Sequence, residues 1–140
     1  MKFRTKIQLT LLAGALATAG PIVGQAAATE YAKTDVVLRS GPSALFPAVG
    51  TVLAGSRVHM YGCTKQIRWC DVRVCGRRGW IPSGDVDIEY HRQRMPISTY
   101  VHVAEKPAIA VVSFDIDTYW SQNYSQLYFY DEIGNWRTIN

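Results

Sequence analysis

The sequence predicts an all-β domain: a small barrel, a β-prone aromatic tail after it, and a cleavable signal peptide before it. Three observations carry that expectation. Short β-prone runs alternate with glycine turns from Thr29 to Glu89. No helical stripe of useful length interrupts them. The first 28 residues follow a different pattern from everything after them.

That first segment opens on Lys2, Arg4 and Lys6, continues through a mostly apolar run from Ile7 to Ala19, and closes on Ala26, Ala27 and Ala28. Positive charge, apolar run and small residues, in that order, make a secretory signal with cleavage expected after Ala26 or Ala28. The apolar run falls short of the roughly 20 residues that a membrane anchor needs, and Gly20, Pro21 and Gly24 interrupt its end. The expected location is therefore periplasmic or secreted, with no membrane span after cleavage. The chain has 15 Lys and Arg against 11 Asp and Glu, and the three bases of the signal leave with it. The remaining 12 bases against 11 acids give a net charge of +1. The concentrated basic footprint of a nucleic-acid binder is missing, so no nucleic-acid partner is expected.

Residues 29–89 are expected to form the barrel. Asp35–Arg39 is a brief strand, and Ser40-Gly41-Pro42-Ser43 is a strong turn signal. Phe46-Pro47 lies in a loop before the run Val49–Leu53, and Ala54-Gly55-Ser56 turns the chain again. Arg57–Tyr61 alternates, with Val58 and Met60 on one side. Trp69–Val74 also alternates: Cys70, Val72 and Val74 share one face, Trp69, Asp71 and Arg73 the other. Gly76–Gly79 is read as a tight turn and Trp80-Ile81 as a short strand that Pro82 stops, with Trp80 in the core.

Three cysteines remain in an exported chain, where a disulfide is the default. Cys63 and Cys70 flank the polar loop Thr64–Arg68, as a bridge across a hairpin mouth would; Cys63 with Cys75 is the alternative. Strict alternation would turn Cys63 away from the Val58 face, so the Cys63–Cys70 pairing requires a bulge at or next to Gly62. Cys75 reads as a small buried hydrophobe.

Residues 90–140 are expected to be an extension that docks on the barrel. His91–Arg94 reads as a basic linker, Ile109–Phe114 as an apolar β-prone run, and the tail then adds Tyr119, Trp120, Tyr124, Tyr128, Phe129, Tyr130 and Trp136. Residues 105–140 hold five acids against Lys106 and Arg137, whereas residues 29–104 carry net positive charge, which favours docking.

Four motifs in order resemble the bacterial SH3-like (SH3b) family. They are Val37-Leu38-Arg39-Ser40-Gly41-Pro42-Ser43, then Phe46–Val52, then Gly55-Ser56-Arg57-Val58, and finally Trp69–Arg73 with Gly79-Trp80-Ile81. The whole chain is similar to small exported SH3-domain proteins of the alphaproteobacterial type. The resemblance implies an SH3-like barrel and a binding role, since such domains commonly target cell-wall peptidoglycan or its peptide stems.

The residues themselves give little chemistry for an enzyme. Cys63, Cys70, Cys75, His59, His91 and His102 lack the spacing of a nucleophile–base pair or a zinc site. Asp115 and Asp117 would share a strand face, and a solvated strand end accounts for them better than a cation site. No enzyme activity, metal or cofactor is expected. A binding groove is expected around Trp69, framed by Phe46 and Tyr61, with Arg73 and neighbouring Arg68, Arg77 and Arg78 supplying charge for carboxylates. Trp69 either lines this groove or lies under the tail. The expected partner is a cell-wall peptide or an envelope protein; an adaptor or inhibitor that docks through its aromatic tail is the alternative.

Overall fold

The computed structural model describes Gly20 and residues 28–139, so the signal segment lies almost wholly outside the described residues. Eight strands form one sheet: β1 (Thr29–Ala32), β2 (Val36–Arg39), β3 (Ala48–Val52), β4 (Arg57–Cys63), β5 (Trp69–Val74), β6 (Arg77–Pro82), β7 (Val86–Tyr90) and β8 (Gln93–Pro96). Their order is β3-β2-β6-β5-β4-β1-β7-β8, and neighbouring strands pair antiparallel. The sheet curls around an aliphatic core that includes Leu38, Val52, Val58, Val72, Ile81, Val86 and Ile88. The all-β expectation thus holds for the barrel.

Two hairpin turns differ from the sequence reading, for one physical reason. Cys75 and Gly76 both have positive φ, 47° and 76°, and His91 and Arg92 have φ of 50° and 64°. Two successive left-handed residues match the twist of the flanking strands, so each pair closes a two-residue hairpin. Arg77 and Arg78 are consequently strand residues rather than a turn, and the stretch read as a linker is the tip of the β7–β8 hairpin. Cys75 is exposed in its turn, not buried.

Cys63 and Cys70 are cross-strand partners and are joined by a disulfide. The required bulge is present: the β4–β5 register shifts between Met60 and Gly62. Gly62 is also a point of close approach, because a Cβ there would lie 2.5 Å from the Ala110 carbonyl oxygen. The Ile109–Phe114 run passes at this point. Cys63 N–H donates to Ala110 O and Val112 N–H donates to Cys63 O, which makes a single parallel bridge beside β4. The outer edge of β4 is therefore shared between β1 at Arg57 and Val58 and the tail at Cys63.

On either side of that bridge the extension is helical, contrary to its β-prone reading. α1 (Ile97–Val103) buries Ile97 and Tyr100 against the aliphatic core. α2 (Ile116–Asn123) starts where the Asp115 carboxylate accepts the Thr118 N–H at 2.8 Å. That contact holds Asp115 below the usual carboxylate range. Ile116, Tyr119 and Trp120 then fall at the i, i+3, i+4 spacing that puts three side chains on one helix face. Asp117 points outward to Arg137 at 2.6 Å. The two acids read as a strand end are a helix cap and a surface ion pair.

Candidate functional site

β4, β5 and β6 have a second face, opposite the aliphatic core, and the site is built on it. Trp69, Asp71 and Arg73 of β5 lie there, paired in register with Pro82, Trp80 and Arg78 of β6. Most of this face is covered. Phe46, Trp80, Ile116, Tyr119, Trp120, Tyr124 and Phe129 form an aromatic layer over it, and Trp69, Val112 and Phe114 pack at its margin. Phe46 and Trp80 both meet Phe114 edge-on, at centroid distances of 5.3 and 5.7 Å. The Trp120 indole N–H donates to Ser40 O at 2.8 Å, which ties α2 to the turn after β2.

Asp71 lies under this layer, 3 % exposed. Arg78 reaches it through both Nε and Nη2, at 3.0 and 2.7 Å to the two carboxylate oxygens. The Tyr119 hydroxyl donates to Oδ1 at 2.7 Å. Such a bidentate pair with a third donor satisfies most of the capacity of a buried carboxylate. Burial and the carboxylate beside it push the Tyr119 hydroxyl well above the usual tyrosine range, and burial does the same to Tyr124. Arg78 also stacks on Tyr61, 3.9 Å from guanidinium carbon to ring centroid.

The four expected site residues are therefore divided. Phe46 is 2 % exposed inside the aromatic layer and offers no surface to a ligand. Trp69 is half-buried at the margin of the same layer, so the tail partly covers it. Tyr61 and Arg73 remain accessible and touch: Arg73 Nε donates to Tyr61 Oη at 2.9 Å. The exposed His59 ring meets Tyr61 edge-on at 4.8 Å.

From Arg73 the surface leads into a cleft of about 530 Å³ between the β5–β6 hairpin and the chain after α2. One wall carries Arg73, Gly76, Arg77 and Arg78; the other carries Gln122, Asn123, Tyr124, Ser125, Gln126 and Leu127. No Asp or Glu is among the lining residues. Arg77 is exposed, and its Nη1 donates to Val49 O at 2.9 Å. A second, shallower recess of about 650 Å³ lies beside the β7–β8 hairpin. Its arginine, Arg94, already lies over the Tyr31 ring at 3.6 Å and near Glu89.

Sequence reasoning missed the cleft's second wall, because it read the tail as extended. The available signal was the Asp115 cap followed by Ile116, Tyr119 and Trp120 at helical spacing.

Residues 34–87 match the family model for the bacterial SH3 domain. The chain carries a bacterial SH3 domain. No curated protein and no solved structure matches it. The family is one of binding domains, and β2 to β6 with their loops fall within the matched segment, which ends in β7. The aromatic residues of α2 and the outer wall of the cleft lie after the SH3 domain. Among the described residues, no three of His, Cys, Asp and Glu gather as a metal site would require, and no helix is long and apolar enough to cross a membrane. His59, His91, His102 and Cys75 sit on four separate elements.

Proposed function

We propose that this chain is an exported, non-catalytic binding module of the cell envelope whose SH3 domain holds peptidoglycan stem peptides beside Tyr61 and Arg73. The observation that carries this reading is the acid-free cleft with three arginines that opens from the one exposed end of the β4–β5–β6 outer face. Carboxylates fit guanidinium groups bidentately, and stem peptides offer both carboxylates and amides. The SH3 family supplies the wall as target. The disulfide is compatible with an extracytoplasmic location, and the signal segment supports export. In this reading residues 1–28 are removed, the SH3 barrel spans residues 29–89, and residues 90–140 form an extension packed against it.

A pull-down of the mature chain on purified sacculi tests the proposal. Retention is expected, with about a tenfold loss on Arg73→Ala, the scale of one charge-assisted hydrogen bond. Failure of the folded protein to be retained, or retention that ignores Arg73→Ala, counts against it. The adaptor alternative has less support. The tail aromatics Tyr119, Trp120, Tyr124 and Phe129 are buried inside the molecule, and the exposed large hydrophobic residues of the extension, Val103, Val111, Leu127 and Tyr128, include a single aromatic ring.

A further inference from the structure

We infer that the C-terminal extension is half of the recognition site: its wall of the cleft reads ligand amides, so the module selects an acidic peptide over a bare anion. This deepens the binding reading above and rests on it for the choice of cleft.

The two walls carry different chemistry. On the hairpin side, Arg78 is committed to Asp71 and Tyr61, so its charge is largely answered within the protein. Arg73 and Arg77 each use one N–H on a protein oxygen, Tyr61 Oη and Val49 O, and are otherwise exposed. Each is thereby oriented while it keeps further N–H groups for a carboxylate. On the extension side, Gln122 and Gln126 are exposed amides that line the same cleft. A carboxamide presents one acceptor and two donors, which is the complement of a peptide backbone. A bare anion has no use for the acceptor.

The extension wall is also fixed in place. The Tyr124 hydroxyl donates to Arg78 O at 2.8 Å, and Asn123 Nδ2 donates to Tyr119 O at 2.8 Å. Tyr124 is 3 % exposed and packs against Trp120 and Phe129. Gln122 and Gln126 flank this anchored tyrosine, so the backbone that carries both amides is set across from the arginines before any ligand arrives. Preorganisation of this kind lowers the ordering cost of binding.

The test is an amide-shift NMR titration of the folded mature protein with three probes. These are N-acetyl-Glu-Ala-Glu-amide, the dicarboxylate glutarate, and inorganic phosphate. The peptide is expected to shift the Gly76 and Arg77 backbone and the Gln126 side-chain amide, and to bind more tightly than either small anion. Arg77→Ala is expected to weaken peptide and glutarate alike by about tenfold, the loss of one charge-assisted contact. Gln122→Ala with Gln126→Ala is expected to weaken the peptide by about fivefold, two neutral hydrogen bonds, and to leave glutarate within a factor of about two. A glutamine variant that leaves peptide binding unchanged overturns the proposal, as does one that weakens glutarate equally. Equal affinity for phosphate and peptide also overturns it, since that describes a bare anion site. Peptide binding at the cleft without sacculus retention supports this inference and removes only the wall as target. Sacculus retention with no peptide shift in the cleft does the reverse.

Discussion

The inner face of the β4–β5–β6 sheet and most of the outer face are dry, but they are dried by different means. The inner face meets other strands of the same barrel and is filled by Val, Leu and Ile, with the disulfide among them. The outer face meets a segment that arrives some forty residues later in the chain, and it is filled by aromatic rings, of which Tyr119, Trp120 and Tyr124 tie their polar ends to the barrel. Aliphatic packing is non-directional and tolerates small shifts. The aromatic layer is positioned by three long-range hydrogen bonds, from Tyr119 to Asp71, from Trp120 to Ser40 and from Tyr124 to Arg78. The difference teaches why the cleft has a stiff second wall: the groups that seal the outer face also fix the residues that line it.

The sharpest way to break the comparison is Trp120→Ala. Trp120 has no exposed surface and touches Phe46, Tyr124, Phe129 and Trp136. Its truncation is expected to cost about 3–5 kcal/mol, as for a buried tryptophan in any core. Denaturant unfolding followed by far-UV and near-UV circular dichroism checks this. One transition shifted to lower denaturant is the expected result. Separate transitions, with the barrel's midpoint unmoved, would mean that the aromatic layer is an appendage rather than a second core.

Asp71→Ala probes the polar link between the faces and is expected to cost about 3 kcal/mol, because it leaves Arg78 and the Tyr119 hydroxyl without their shared partner. Arg78→Met together with Asp71→Leu should recover much of that loss, since well-packed apolar pairs often replace buried ion pairs without penalty. If the double variant is no more stable than Asp71→Ala, the ion pair is needed for positioning and not only for mutual neutralisation.

Much of the inner face was legible in the sequence. Alternation placed Cys70 and Val72 inward, turn chemistry located the strands to within a few residues, and the conflict at Cys63 required the bulge found beside Gly62. The outer face was not legible, because its partner is remote. Period two placed Trp69, Asp71 and Arg73 together, yet nothing local says that a helix more than forty residues on will bury Asp71 and Phe46. β-Branched and aromatic residues between Ile109 and Tyr130 favour strands by propensity, and a single cap with three spaced apolar side chains overrode that preference once the helix had a surface to cover. Of the expected site residues, Tyr61 and Arg73 stay on the uncovered end; the placing of Gln122 and Gln126 opposite the arginines depends on α2 and the turn after it, which local sequence did not show.

On the inner side the disulfide gives a smaller, separable effect. The Cys63–Cys70 bridge spans seven positions, and the chain-entropy estimate for so short a loop is about 2.5 kcal/mol. Cys63→Ala with Cys70→Ala should lower stability by that order and leave the Trp120 layer intact. Near-UV circular dichroism of the folded double variant checks the second half. Loss of the aromatic signal under native conditions would show that the bridge also supports the tail, through the hydrogen bonds of Cys63 to Ala110 and Val112.

The finest probe of the two faces is alkaline pH, because the outer layer holds buried tyrosine hydroxyls. In the unfolded chain a tyrosine ionises near pH 10. In the fold, burial and Asp71 raise Tyr119, and burial raises Tyr124. Above pH 10 the unfolded state therefore binds fewer protons than the native state, and stability must fall as pH rises. Below pH 10 neither hydroxyl contributes any pH dependence. Tyr119→Phe is expected to cost about 1 kcal/mol at neutral pH, one hydrogen bond to a carboxylate that Arg78 still holds. Above pH 10 its stability should fall less steeply than that of the wild type, while Tyr124 keeps part of the slope. Urea unfolding at pH 8 and at intervals above pH 10 reads both effects. Parallel curves for the two proteins would mean that Tyr119 ionises as easily folded as unfolded, which a hydroxyl sealed against Asp71 cannot do.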